Sequence, residues 1–379
     1  MKQKLLALLL VGVLITTAGC SGLTGTDTTA PNEDTAMGVE DSDPSTETVT
    51  GDNLPAGVTT NGIQNSTKLI DTHIEQLNGT AYRSKIAVNS GYSELDNSSS
   101  TTSSGAEQVN IVEVIEPSED QHRIDITGID KNGVRRTSSI WKNGKYLNMD
   151  RSDAPQGANY TRTHGMGTAN FITSVGKFTA YAYLNSSMQQ LNYSVAGMTT
   201  VNGQDVVELT ATQETQLDGE SAKVESTMHI TPDGVILGST VTTPTKDSPL
   251  AEYEVTDYGS ATAEKPEWMQ NIPAVTADFS ENNKLITLTH NGGAPVADGT
   301  SISVRQGVSL SGATTLSQLD SGEKAYLYYA NSTDSDSQQL QVSTTKPSDL
   351  SNAVSLDDGK VNIVLNGDVS IQLTYNLEN

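Results

Sequence analysis

The sequence predicts an α+β unit followed by a smaller all-β sandwich, and three observations predict it. Apolar residues recur at helical spacing in two stretches, Ile63 to Leu77 and 168–184. Around those stretches the chain alternates apolar and polar residues in short runs that end in Gly, Asn, Asp or Pro. Beyond Pro273 no helical period recurs and only the alternation remains. Helices laid on one face of a sheet fit the first part, and two sheets packed face to face fit the second.

The chain opens with Lys2 and Lys4, then an apolar run from Leu5 to Ile15, then Thr17-Ala18-Gly19 and Cys20. That run suits a signal peptide and is shorter than the roughly 20 residues a spanning helix needs. Ala18-Gly19-Cys20 resembles the lipobox of prokaryotic lipoproteins. The departure is Thr17, where Leu is the commonest family residue, and the absence of twin arginines points to the Sec route. The resemblance implies removal of residues 1–19, lipidation of Cys20 and anchorage at the extracytoplasmic face of the cell membrane. Each buried lipid CH₂ adds roughly 0.8 kcal/mol to such an anchor. Cys20 is the sole cysteine, so no intramolecular disulfide is available.

Residues 20–57 read as a disordered acidic stalk. From Ser21 to Gly57 there is no Lys or Arg and almost no large apolar side chain, too little to offset chain entropy. Over the whole chain, 46 Asp and Glu face 22 Lys and Arg, for a formal net charge of −24. Such a field excludes nucleic acid as a partner, since phosphate binding depends on basic side chains. An acidic, Lys-poor surface is that of a halophilic protein, kept soluble where salt screens charge. With "TTAGCSG" at its start and "NST" opening its first helix, the chain resembles uncharacterised haloarchaeal cell-surface lipoproteins. Seven sequons, at Asn65, Asn78, Asn97, Asn159, Asn185, Asn192 and Asn331, are candidate glycosylation sites once the chain is outside the cytoplasm.

The first unit is expected over 58–271. Ile63, Ser66, Ile70, Ile74 and Leu77 share one helical face, and Gly79 supplies a stop. Strands follow through Ile86 and Val88, through Val109, Ile111 and Glu113, and through Ile124, Ile126 and Ile129. Asn143-Gly144, between two strand runs, reads as a type I′ hairpin turn. Phe171, Val175, Phe178 and Ala182 then recur on one helix face. Strands resume at "DVVELTAT", "KVESTMHITPDGVILGSTVTT" and "AEYEVTDYG", with a turn at Pro232-Asp233-Gly234.

This order, with "HITPDGVILGS" near its end and "EKPEWM" as its tail, resembles the LolA/LppX/LprG-type lipoprotein carriers. The resemblance implies a curved antiparallel half-barrel with helices on one face. It also implies a lipid or other hydrophobic ligand between sheet and helices, with Phe171, Val175 and Phe178 facing it. The alternative is that those three side chains simply fill the core.

The second unit is expected over 273–379, with strands at "AVTADFS", "KLITLTH", "TSISVRQ", "KAYLYYAN", "QQLQVSTT", "KVNIVLN" and "VSIQLTYN". That number of short alternating strands in so few residues matches an immunoglobulin-like sandwich, although no Cys-Trp-Cys pattern accompanies it. The stretch "KLITLTHNGGAPVADGTSISVR" resembles β-domains of archaeal pilins and archaellins.

Catalytic signatures are absent from the sequence. His73, His122, His164, His229 and His290 are scattered, without zinc-ligand spacing. No G-x-S-x-G elbow and no phosphate-binding G-x-x-x-x-G-K-[ST] loop occurs, and the Ser-x-x-Lys matches, such as Ser139/Lys142, lack companion motifs. Residues 331–337, "NSTDSDS", read as a surface turn rather than a Ca²⁺ loop, lacking the Gly and distal Glu of an EF-hand. A paired-carboxylate glycosidase is left open by sequence. The expectation is a non-enzymatic lipoprotein, without cofactor or metal, that binds or carries a hydrophobic molecule. The alternatives are a structural or adhesion lipoprotein binding surface-layer proteins, pilus proteins or glycans, and an extracellular hydrolase.

Overall fold

The structure, a computed structural model, describes residues 53–89, 106–130, 132–151, 158–165, 180–217, 220–307, 310–331, 338–357 and 359–377. In chain order the first elements are β1 (Val58–Thr59), β2 (Gly62–Ile63), helix α1 (Ser66–Leu77), β3 (Tyr82–Asn89), β4 (Ala106–Glu116), β5 (Gln121–Asp130), β6 (Arg135–Asn143), β7 (Tyr146–Asp150) and β8 (Tyr160–His164). A helical stretch over 180–190 precedes β9 (Ser194–Val201), β10 (Gln204–Leu217), β11 (Glu220–Ile230), β12 (Ile236–Thr242) and β13 (Ala251–Thr256). The remainder is β14 (Val275–Ser280), β15 (Leu285–His290), β16 (Ser301–Gln306), β17 (Leu310–Thr315), β18 (Lys324–Asn331), β19 (Gln338–Ser343), β20 (Ala353–Val354), β21 (Gly359–Asn366) and β22 (Val369–Leu377).

The α+β expectation is overturned: the protein is mainly β, with α1 and the 180–190 stretch its only α-helical structure among the described residues. Among the described residues the two helical stretches span Ser66–Leu77 and 180–190. The alternation, in contrast, persists through strands as long as the 14 residues of β10 and the 11 of β11.

The chain forms two units. The first takes Met1–Val112, Gly128–Arg135 and Lys177–Ala261; the second takes Glu113–Thr127, Arg136–Gly176 and Thr262–Asn379. One cut between 271 and 273 does not describe this interleaving.

In the first unit, β3, β13, β12, β11, β10 and β9 pair in that order, all antiparallel. The register carries one row of side chains across the sheet: Ile86 opposite Tyr253, Tyr253 opposite Ser239, Ser239 opposite Met228, and Met228 opposite Leu209. Helix α1 is capped by Asn65, whose Oδ1 accepts from Lys68 N at 2.9 Å. It buries Leu69, Ile70, His73 and Leu77, while Ile63 lies in β2 instead. Gly234, in the β11–β12 turn, has φ +97°, and a Cβ there would lie 2.6 Å from Thr72 Cγ2 of α1. Only glycine permits that approach.

Two Asn-Gly pairs behave differently. Val201 faces Gln204, which makes Asn202 and Gly203 the two central residues, both with positive φ, as a type I′ turn requires. Asn143 faces Tyr146, so the centre is Gly144-Lys145 and positive φ falls on Gly144 alone. That is the pattern of a type II′ turn, which corrects the type I′ expectation.

In the second unit, one sheet runs β17, β16, β21, β22, β8, β7, β6 and the other β14, β15, β18, β19, with β20 paired to β18. Their facing sides share a core that includes Val275, Ile286, Leu288, Val304, Leu327 and Ile363. Strand β22 pairs with β8 in parallel, Val369 opposite Tyr160 and Leu373 opposite His164. An immunoglobulin-type sandwich has antiparallel sheets built from one continuous segment, so that expectation is corrected as well.

Candidate functional site

A cluster of polar side chains lies in each unit, and the two differ in chemistry. In the first unit the cluster lies where the 180–190 helix and α1 meet the sheet. The helix buries Ala180, Tyr183, Leu184, Ser187 and Met188. Facing them, the sheet offers small serines in neighbouring rows, Ser226 on β11 between Ala211 and Val241 and Ser239 on β12 between Met228 and Tyr253. Small side chains on a strand leave room for the tyrosine rings above them.

Tyr193 Oη lies 2.8 Å from Ser187 Oγ and 2.7 Å from Ser226 Oγ, and Ser226 Oγ donates to Thr240 O at 2.8 Å. Ser239 turns its hydroxyl toward Tyr193 without a well-aligned bond. Burial raises the Tyr193 pKa against the lowering effect of these serines, so the phenol stays neutral. Tyr183 Oη donates to Ser239 O at 3.4 Å, and its ring lies 6.2 Å from that of Tyr253.

His73 completes the cluster. Its Nδ1 accepts from the Ile236 amide at 3.1 Å, which assigns the ring hydrogen to Nε2, 2.8 Å from Tyr253 Oη. Complete burial holds its pKa down to about 3. Among the described residues the interior beneath these helices is therefore uncharged and rich in hydroxyls.

The second unit's cluster is cationic. Along β8, Tyr160, Arg162 and His164 point to one face. Arg162 is 9% exposed and stands opposite Asn148. Its Nη1 donates to Asn148 Oδ1 at 3.3 Å, and its guanidinium carbon lies 4.0 Å from the centre of the Tyr146 ring. Asn148 is held in turn by donating to Trp141 O at 3.2 Å.

His164 sits between Tyr146 and Tyr375, 4.8 Å from each ring centre. Tyr375 packs edge-on to Phe279 at 5.4 Å and accepts from the Ala277 amide at 3.0 Å. Tyr160 stacks on Trp268 at 6.4 Å and accepts from Asn271 Nδ2 at 2.9 Å. Burial lowers the pKa of Arg162 and of His164, and lifts that of Tyr375.

Elsewhere in this unit two buried basic groups meet carboxylates, while the buried His290 bonds the Ala294 carbonyl through Nε2 at 2.8 Å. His122 Nε2 is 2.7 Å from Glu113 Oε1, and Lys142 pairs with Asp120. Arg162 meets none among the described residues, and its Nε is buried without a hydrogen-bond partner. Trp268 Nε1 is likewise buried and unpartnered.

Of the residues singled out from sequence, Cys20, Phe171, Val175, Phe178 and Asn97 lie outside the described residues. Ala182 is half-buried. Asn65, Asn78, Asn159, Asn192 and Asn331 are exposed, Asn65 serving as the cap of α1. Asn185 is only 7% exposed, and its Oδ1 accepts from Gln189 Nε2 at 2.9 Å. Sequence reasoning passed over Arg162, Tyr146 and Trp268. The available signal was the spacing of Tyr160, Arg162 and His164 at every second position.

Among the described residues no three His, Cys, Asp or Glu side chains group as metal ligands, and no helix is long and apolar enough to cross a membrane. No protein family matches the chain, and no curated protein does. Two solved structures are similar. LprF from Mycobacterium bovis is 12% identical, covering 53% of this chain and 96% of that one, with a TM-score of 0.29. A DUF1329 family protein from Desulfovibrio piger is 9% identical, covering 53% of this chain and 94% of that one, with a TM-score of 0.18.

Proposed function

We propose that this chain is a non-catalytic lipoprotein, tethered through Cys20 on the outer face of the membrane, whose first unit binds a lipid or other hydrophobic molecule. The observation that carries this reading is the neutral, hydroxyl-rich interior between the 180–190 helix and the sheet. A face with no ionised group among the described residues suits a ligand that is mostly apolar, and the Ser239 hydroxyl, which lacks a hydrogen-bond partner, can meet its polar end. The lipobox resemblance and acidic stalk support the tether, which would keep the binding unit close to a membrane.

Native mass spectrometry of the full mature chain tests the ligand: co-purifying lipid is expected. A ligand-free mass from every expression host and lipid supplement would sink the reading. The tether is tested separately with Cys20→Ser, which should move the protein from the detergent phase to the aqueous phase. Equal partitioning of variant and wild type would remove Cys20 as the anchor.

A further inference from the structure

Arg162 presents a physical problem that the hydrophobic-ligand reading does not address. A guanidinium does not discharge by losing a proton, so its burial calls for an opposing charge. Among the described residues it has a neutral amide oxygen and the neutral tyrosines Tyr146 and Tyr375 but no carboxylate, while Nε–H points to no acceptor. Two other buried basic groups of this unit, Lys142 and His122, each have a carboxylate. Asn148, itself fixed by the Trp141 carbonyl, keeps the guanidinium in place without neutralising it.

The surroundings restrict what could complete the site. Tyr146, Tyr160, His164, Trp268, Phe279 and Tyr375 are all only half-buried, in a chain where aromatics make up 5% of residues. They pack against one another and against Arg162, and each keeps part of its surface exposed. Trp268 adds a second buried N–H without an acceptor, beside the Tyr160 ring. The formal charge of −24 opposes loose attraction of anions, so an anion would be held here by local geometry. The free edge of an arginine fork matches the two oxygens of a carboxylate better than a spherical ion.

We propose that this cluster in the second unit binds a small carboxylate attached to a ring. The carboxylate takes the unpartnered edge of Arg162, and the ring lies against the half-buried aromatic faces that include Tyr160 and Trp268. Two kinds of molecule share that chemistry, a sugar acid and an aromatic acid, and they are separable by experiment.

The test titrates the full mature chain with sodium glucuronate and with sodium benzoate, at ionic strength held constant with sodium chloride. Methyl glucoside and benzyl alcohol serve as uncharged counterparts, and binding is read by calorimetry and by ligand-observed NMR. At least one carboxylate should bind, with its uncharged counterpart weaker by about tenfold or more, as loss of a charge-assisted pair implies. The acid that binds identifies the ring. Arg162→Gln should weaken binding by about tenfold or more, and Trp268→Phe, which keeps the stacking and deletes only the N–H, by about threefold or more.

Absence of binding by both acids, equal binding of the uncharged counterparts, or unchanged affinity in Arg162→Gln would overturn the site. If Arg162→Gln does not fold, Trp268→Phe decides alone: weakened binding supports the proposal and unchanged affinity rejects it. Arg162-dependent stabilisation by chloride, with neither carboxylate competing, would mean a halide site and would also reject it. None of these outcomes bears on lipid binding by the first unit, so the two readings stand or fall separately.

Discussion

The two buried polar clusters are built from similar side chains and have opposite electrostatic balance. In the first unit His73 is neutral, bonded on both nitrogens, and the Tyr193 hydroxyl has two partners. In the second unit a permanent cation is buried with one amide acceptor and an aromatic face. Polar groups that satisfy one another stabilise a core, whereas an unbalanced charge lowers stability and keeps affinity available for a ligand. Perturbation should therefore move the two clusters in opposite directions.

The largest effect belongs to the closed cluster. Tyr253 is 1% exposed and holds His73 Nε2, so Tyr253→Ala should cost about 3–5 kcal/mol in urea unfolding. A cost below about 1 kcal/mol would show that the region is already loose. Next comes pH. The folded pKa of His73, about 3, lies below the unfolded value near 6.5, so between these values the unfolded chain binds a proton that the folded chain refuses. The stabilisation is complete above pH 6.5 and is lost as pH falls toward 3, at about 1.4 kcal/mol per pH unit. His73→Gln should flatten the dependence by that slope, and identical slopes for wild type and variant would show that His73 titrates normally.

Tyr193→Phe leaves Ser187 and Ser226 short of one partner each and should cost about 1–3 kcal/mol. The smallest change is expected in the open cluster. Without ligand, Arg162→Met removes an uncompensated charge and keeps the apolar stem, so stability should hold within about 1 kcal/mol or rise. A loss as large as that of Tyr253→Ala would mean that Arg162 is balanced after all, and would erase the contrast between the units.

Much of the fold was legible where the signal is local. Asn65 and the spacing of Ile70 and Leu77 marked α1, and alternation marked most strands. The class was misjudged because two helical patterns were weighed equally with many strands. The Asn-Gly pairs show a finer limit. The dipeptide marks a turn, but the strand register decides which residues sit at its centre, and register depends on long-range pairing. "YTRTH" places Tyr160, Arg162 and His164 toward one face, yet polar residues at every such position read as a loop. Their burial comes from Asn148, Trp141 and the strands around them, which no local pattern displays. His73 belonged to the helical stripe of α1 and went unremarked because a histidine between Ile70 and Leu77 reads as an interruption.

The parallel pairing of β22 with β8 has a consequence for biogenesis. A chain synthesised from its amino end delivers Tyr160 long before Val369, so β8 spends that interval with an unsatisfied edge. Residues 136–164 cannot complete their sheet until the last strand has emerged, and truncation near 272 would strand them permanently. Completion of this sheet is thus coupled to the arrival of the carboxyl end. A protease or holdase would find its opportunity in the wait for β22.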